Sequence, residues 1–284
     1  MSEVRGRYFV ELFAGTAPVS RALVKCGLPS RSFDVARGPH EDLTQPSVLL
    51  TLRREILGNK VLGAFLSPPC RTWGPSGNRT VQVRSSMEPW GLKTLVPGSA
   101  AHARVVEGNR VMRAVFATIR LLHKQGVPWI LEHPHGSFLF KTEAVENWMK
   151  SRTIGSAVLD QCQFGVAWRK RTRLLCGNLD MRTVAFVNRR CHGQRGYCSR
   201  TGRKHFHLEG VAPSGQKWTS LAAAYPKALG MHLAKALSDD FRGACADRLC
   251  SKLVPPSPPL DHHFGHGLGE EELAEQAQQA RSDV

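Results

Sequence analysis

Short apolar runs and helically spaced apolar positions alternate along this chain. An apolar run at 7–13 (RYFVELF) ends at FAGTAP, and the following VSRALVKCG spaces its apolar positions as a helix and stops at Gly27. RSFDV at 31–35 and VLGAFLSPPC at 61–70 read as strands on either side of a helical PSVLLTLRREI at 46–56. A long helical pattern, VVEGNRVMRAVFATIRLLHKQG, leads into an apolar VPWILEHP. SAVLDQCQFG and TRLLCGNL read as two further strands around a basic turn, and SLAAAYPKALGMHLAKAL as a closing helix.

Strands alternating with helices predict an α/β fold with a mostly parallel, Rossmann-like central sheet flanked by helices, whose ligands bind at the carboxyl ends of the strands. The glycine and proline punctuation falls at those ends. One domain is expected over 1–250, with a Cys- and His-bearing basic loop at 188–210 inside it. From Val254 the chain turns to PPSPPLDHHFGHGLG and then EEELAEQAQQA, so 251–284 read as a Pro-rich linker and acidic tail, too polar to build a core and expected to be disordered.

Charge narrows the class of partner. The formal charge is +16, and residues 251–284 carry two basic and six acidic side chains, which leaves the first 250 residues with +20. Such a surplus favours a polyanion, because neutralising phosphates releases counterions. No apolar run reaches the roughly 18 residues that cross a bilayer, and MSEVRGR lacks the apolar core of a signal peptide. An intracellular protein, with no membrane partner and acting as a monomer, is expected. The 8 cysteines are then read as free, metal-bound or catalytic thiols rather than a disulfide framework.

Four elements carry candidate chemistry. A glycine turn at Gly15 lets backbone approach a cofactor at the start of a helix. Asp34, at the end of the second strand, is suited to ribose hydroxyls and Asp42 to an adenine amine, although a strand-terminal Asp also serves as a cap. In SPPC at 67–70, two prolines stiffen the chain beside Cys70, and Arg71 favours its thiolate; a small buried apolar cysteine is the plainer alternative. Glu132 leaves an apolar strand, where a carboxylate needs a partner or a task as an acid. Arg169, Arg171 and Arg173 alternate along one face of a strand. Trp73 and Trp90 follow Cys70 in a Gly- and Pro-rich stretch, expected to form a mobile lid, with Trp90 more suited to packing on the core.

The loop at 188–210 holds Cys191, Cys198, His205 and His207, a set of four zinc-ligating side chains, with His192 the least suited of its histidines. A metal there would order a loop with little core of its own and present Arg195, Arg200, Arg203 and Lys204 to phosphates. Exposed residues in a flexible basic loop are the alternative.

The order and spacing of ELFAGT, SPPC, LEHP and RKRTRLL over residues 8 to about 237 resemble the motifs of cytosine carbon-5 DNA methyltransferases. EGNRVM, RTRLLCGN and AAAYPKAL look closest to the compact branch carried by phages and retroelements. The resemblance implies S-adenosyl-L-methionine as cofactor, held by Phe13, Gly15, Thr16, Asp34, Asp42 and Pro68. It implies Cys70 as nucleophile, Glu132 as acid and Arg171 and Arg173 as the arginine pair. DNA is the implied partner, with RNA left open; the expected intracellular location, nuclear or cytoplasmic, follows from the missing signal peptide rather than from the resemblance. Ala17 replaces the usual second glycine of the turn, Arg71 a glutamine, and Glu132-His133-Pro134 the family's Glu-Asn-Val; loss of that Asn removes a bond that orients the loop around the nucleophile. Two rival readings stand beside this one: a methyltransferase acting on an exocyclic amine, and a non-catalytic nucleic-acid-binding relic of the same fold.

Overall fold

The structure, a computed structural model, describes residues 6–78, 81–180, 185 and 187–238. Strands β1 (Tyr8–Leu12), β2 (Ser30–Phe33), β3 (Val61–Leu66), β4 (Trp129–Pro134), β5 (Ile154–Asp160) and β6 (Arg171–Gly177) form one sheet in the order β2-β1-β3-β4-β6-β5. Pairing is parallel from β2 to β4, and β6 runs antiparallel to both β4 and β5. The α/β class with a mostly parallel sheet is therefore as expected.

Helices cover both faces: α1 (Pro18–Lys25), α2 (Pro46–Leu57), α3 (Ala100–Lys124), α4 (Glu143–Lys150), a single turn α5 (Trp218–Leu221) and α6 (Lys227–Ser238). Successive strand residues point to opposite faces. Val10, Leu12, Leu66, Trp129 and Leu131 thus pack on Leu52 and Ile56 of α2 and on Met112, Phe116 and Ile119 of α3. Their neighbours Phe9, Phe65, Ile130 and Leu174 pack on Val19 and Leu23 of α1 and Leu229, Leu233 and Leu237 of α6. Each large side chain buried this way contributes about 1.5–3 kcal/mol, which explains why the central strands read as unbroken apolar runs.

The chain passes from β1 to β2 on one side and then crosses to β3 on the other. The crevice beyond the carboxyl ends of β1 and β3 is the switch point at which open α/β sheets bind ligands.

Three expectations are corrected. The closing helix is broken: α5 stops before Pro226, and α6 resumes at Lys227, because proline lacks an N–H and bars its predecessor, Tyr225, from helical backbone. The strand expected through SAVLDQCQFG ends at Asp160 and gives way to a 3-10 turn over Gln161–Phe164. Arg169 precedes β6 rather than lying on it. The tail at 251–284 lies outside the described residues. Among the described residues no helix is long and apolar enough to cross a membrane.

Candidate active site

The turn from β1 to α1 alternates left-handed residues, with φ of 59°, 51° and 52° at Phe13, Gly15 and Ala17. An L side chain in that region costs roughly 1–2 kcal/mol, so bonds from outside must hold the turn. Asp34 Oδ2 accepts the Gly15 N–H at 2.7 Å. Ser67, just past β3, donates its N–H to Leu12 O at 3.2 Å and its hydroxyl to Phe13 O at 3.1 Å. No side chain of Ala17 caps α1; Glu11, buried in β1, accepts the Val19 and Ser20 N–H groups at 3.4 and 2.6 Å instead. Burial pushes the Glu11 carboxyl up to about 7, against the pull of the Ser20 bonds.

Ser67 begins the arm that carries Cys70. Trp73 and Gly74 return their N–H groups to Cys70 O at 3.1 and 2.8 Å, closing a turn directly after the thiol. The arm is anchored rather than lid-like. Trp73 is fully buried, donates Nε1 to Gly108 O at 3.2 Å, and lies under the Arg84 guanidinium, 3.7 Å from its ring centroid. Arg84, also fully buried, donates to Thr72 Oγ1, Pro89 O and Asn109 Oδ1 at 3.0, 2.7 and 2.8 Å. Trp90 packs edge-on to Trp73 and onto the core. The bond expected from an Asn after Glu132 is replaced by Ser137, whose hydroxyl donates to Trp73 O at 3.1 Å. His133 itself points to the opposite face, against Phe140, where burial drives its imidazole down to about 3 and keeps it neutral.

Parity along β4 and β6 decides which groups meet Cys70. Glu132 pairs with Leu174 and Pro134 with Thr172, so Glu132, Thr172 and Lys170 share the α6 face. Glu132 is buried, and its Oε1 has no hydrogen-bond partner. Burial lifts its pKa above the usual carboxylate range, opposed by the Lys170 charge and by the Tyr225 and Thr172 hydroxyls. Burial also pushes the Cys70 thiol up; Lys170 is the strongest opposing charge and Arg71 a lesser one. The thiolate expected from Arg71 is therefore not what the folded chain alone produces, because desolvation outweighs an exposed guanidinium.

One cavity of about 440 Å³ brings these groups together, lined by Phe13, Gly15, Thr16, Pro68, Cys70 and Glu132 along with Lys170 and Tyr225. Its volume is in the range of small-molecule sites, and it opens at the β1/β3 switch point. Ala17 is not in the lining, so its methyl group does not narrow the space. Lys170 and Tyr225 were missed in the sequence; the only signals were a lysine inside the arginine run and a tyrosine before a helix-breaking proline.

Four expected site residues lie outside the cavity lining. Asp34 reaches it only through Gly15, and its other oxygen caps the next turn by accepting Ala36 N–H at 2.9 Å. Asp42 is occupied by the Thr44 N–H and hydroxyl at 2.8 and 2.7 Å. Arg171 donates Nε to the buried Asp160 at 3.1 Å, as does Arg169 at 3.3 Å. Arg173 rests on the Phe140 ring, on the face opposite Glu132. With Lys170 just before β6 and Thr172 within it turned to the Glu132 face, the extended backbone must turn Arg171 and Arg173 away.

A second cluster lies beyond β5. Cys162, Cys191, Cys198 and His205 bring their ligand atoms within 4.8 Å of one another. Three of these were expected. His207 is exposed and its ring is not among the grouped ligand atoms; Cys162 takes the fourth place.

No protein-family model and no curated protein matches the chain. Solved structures similar to it include the following three. The Entamoeba histolytica methyltransferase EhMeth aligns at 10% identity over 61% of this chain and 53% of its own, with a TM-score of 0.37. S. pombe Dnmt2 methyltransferase aligns at 13% identity over 69% of this chain and 59% of its own, also with a TM-score of 0.37. A Spodoptera frugiperda DNMT2 mutant aligns at 13% identity over 60% and 50%, with a TM-score of 0.35. The chain thus spans between half and three-fifths of the lengths of these proteins.

Proposed function

We propose that residues 1–250 form one S-adenosyl-L-methionine-dependent methyltransferase domain that methylates carbon 5 of cytosine in nucleic acid, DNA in the first instance, through a covalent Cys70 adduct. The observation that carries this reading is the meeting of a thiol, a protonation-prone buried carboxyl and a cation in one cavity at the switch point. The unpartnered Glu132 Oε1 and the open glycine turn are what a bound base and a bound cofactor would complete. When bound, S-adenosyl-L-methionine supplies an electrophilic methyl group. Phe13, Gly15, Thr16 and Pro68 would hold it at the carboxyl ends of β1 and β3.

A target cytosine must leave its stack to reach the cavity. Cys70 adds as the thiolate to carbon 6, and Glu132 holds a proton at ring nitrogen 3, so the electron pair of the 5,6 double bond becomes available at carbon 5. Carbon 5 takes the methyl group; its proton then leaves to a base, the carbon 6–sulfur bond breaks, and the thiolate is restored. Lys170, rather than the arginine pair, is placed to balance negative charge on the ring, a contribution concentrated in the transition state. The basic surface supplies phosphate contacts, and zinc in the Cys/His cluster is the second, structural cofactor of this reading.

The test is mass spectrometry of the full chain with S-adenosyl-L-methionine and an oligonucleotide carrying 5-fluorocytosine, whose fluorine cannot leave as a proton does. The expected product is a covalent complex through the Cys70 peptide, absent from Cys70→Ser. Methylation of ordinary cytosine by Cys70→Ser would overturn the nucleophile and favour exocyclic-amine transfer; failure of the wild-type chain to bind cofactor or form the adduct would favour the relic.

A further inference from the structure

We infer that Cys162, Cys191, Cys198 and His205 are the ligands of a closed, structural zinc site that staples the basic loop to the edge of the sheet. This deepens the zinc part of the proposed function and does not depend on the methyl-transfer part.

Tetrahedral zinc, with bonds of about 2.3 Å to sulfur and about 2.0–2.1 Å to nitrogen, sets sulfur–sulfur edges of roughly 3.8 Å and sulfur–nitrogen edges of roughly 3.6 Å. Cys191 Sγ and His205 Nε2 stand 3.6 Å apart, and all four ligand atoms lie within 4.8 Å of one another. The three thiols are buried and free of disulfides. Apolar filling does not account for an imidazole in their midst, nor for the donors aimed at sulfur. Ser199 gives Cys191 Sγ its N–H at 3.3 Å and its hydroxyl at 3.6 Å. Gln163 Nε2 is placed at 3.6 Å from Cys162 Sγ and 3.8 Å from Cys198 Sγ. Metal-bound thiolates take such bonds from the surrounding shell.

Charge and backbone agree with this set. Three thiolates and Zn²⁺ leave one negative charge, and Arg169 and Arg200 donate to the Cys191 and Cys162 carbonyls, each at 2.9 Å. Asp160, at the end of β5, accepts the Cys191 N–H at 2.9 Å and aligns that ligand with the sheet. Gly193 is required for the turn between Cys191 and Cys198, because any Cβ there would run into Tyr197 O.

Cys162 gives the site its consequence. It follows the edge strand β5, whereas the other three ligands lie in the loop. The metal therefore ties the loop, with exposed Arg195, Arg203 and Lys204, to the same strand pair that carries Lys170 into the cavity.

The experiment is metal analysis of the full chain purified without chelator, followed by cobalt(II) exchange. One zinc per chain is expected, with a tetrahedral cobalt spectrum whose sulfur charge-transfer intensity corresponds to three thiolates. Cys162→Ser should reduce that intensity by about a third or lose the metal, and His207→Ala should leave metal content and spectrum unchanged. If the wild-type chain holds no zinc and takes up no cobalt, the zinc reading itself falls. If zinc is present but the spectrum counts two thiolates, or His207→Ala loses it, the staple through Cys162 is overturned while the zinc reading stands. The wild-type thiolate count decides the matter even if Cys162→Ser fails to fold.

Discussion

The Asp34 carboxylate accepts the Gly15 N–H at 2.7 Å, so the end of β2 holds open the turn that leaves β1. Asp34→Ala is expected to release that turn and weaken S-adenosyl-L-methionine binding about 10- to 100-fold, the equivalent of a charge-assisted bond of about 1.5–3 kcal/mol. Titration calorimetry checks it, and unchanged affinity would remove Asp34 from the site.

Lys170 and Arg173 separate two views of the basic run. Lys170 lines the cavity beside Glu132, whereas Arg173 lies on Phe140. Lys170→Gln should slow single-turnover methylation about 100-fold, in the range of losing one transition-state donor, with cofactor affinity retained. Arg173→Gln should stay within about threefold of wild type, as expected for a group outside the reacting cavity. The reverse ranking would return the role to the arginine pair.

Because burial raises the Cys70 thiol above its ordinary value, the free protein should hold Cys70 protonated at neutral pH. Iodoacetamide labelling, followed on the Cys70 peptide, should be slow at pH 7 and still rising beyond pH 9, since only the thiolate reacts. Lys170→Gln should move the curve further upward. A plateau below pH 8 in the wild-type protein would contradict the dominance of burial.

Asp160 is fully buried between Arg169, Arg171 and the Cys191 N–H, and its bonds with Arg171 and Cys191 hold its carboxyl below the usual value despite burial. Its contribution to stability is therefore present above the unfolded carboxylate pKa and is lost as pH falls through the lower folded value. Asp160→Asn should cost about 2–3 kcal/mol at pH 7, less than a wholly buried pair because both arginines are partly exposed. Urea denaturation should show the two proteins converging in stability as acid protonates Asp160; a constant difference down to pH 2 would contradict the assignment.

Much of this was legible in one dimension. The shift between short apolar runs and helically spaced apolar positions marked every strand of the sheet, because strands buried on both faces read as unbroken runs whereas a helix buries one stripe. Short-range motifs also placed FAGT, SPPC and LEHP at strand ends, which is why Gly15, Cys70 and Glu132 converge once parallel strands lie side by side. The Asn-to-His change at 133 looked like a loss, yet it falls on the other face of β4, and Ser137 fastens the loop.

Three matters rested on tertiary structure alone. Whether 170 and 172 or 171 and 173 face the cavity depends on the register of β6 against β4, and a shift of one residue exchanges the faces. Tyr225 reaches Glu132 only because Pro226 breaks the closing helix and α6 packs on that face. Cys162 joins a loop that begins more than 20 positions later because β5 ends beside it. Sequence by itself determined the elements and the chemistry available at their ends, because those follow from local periodicity and residue type. Which side chains share a site was decided by non-local pairing and burial, whose energies do not exist until the sheet has formed.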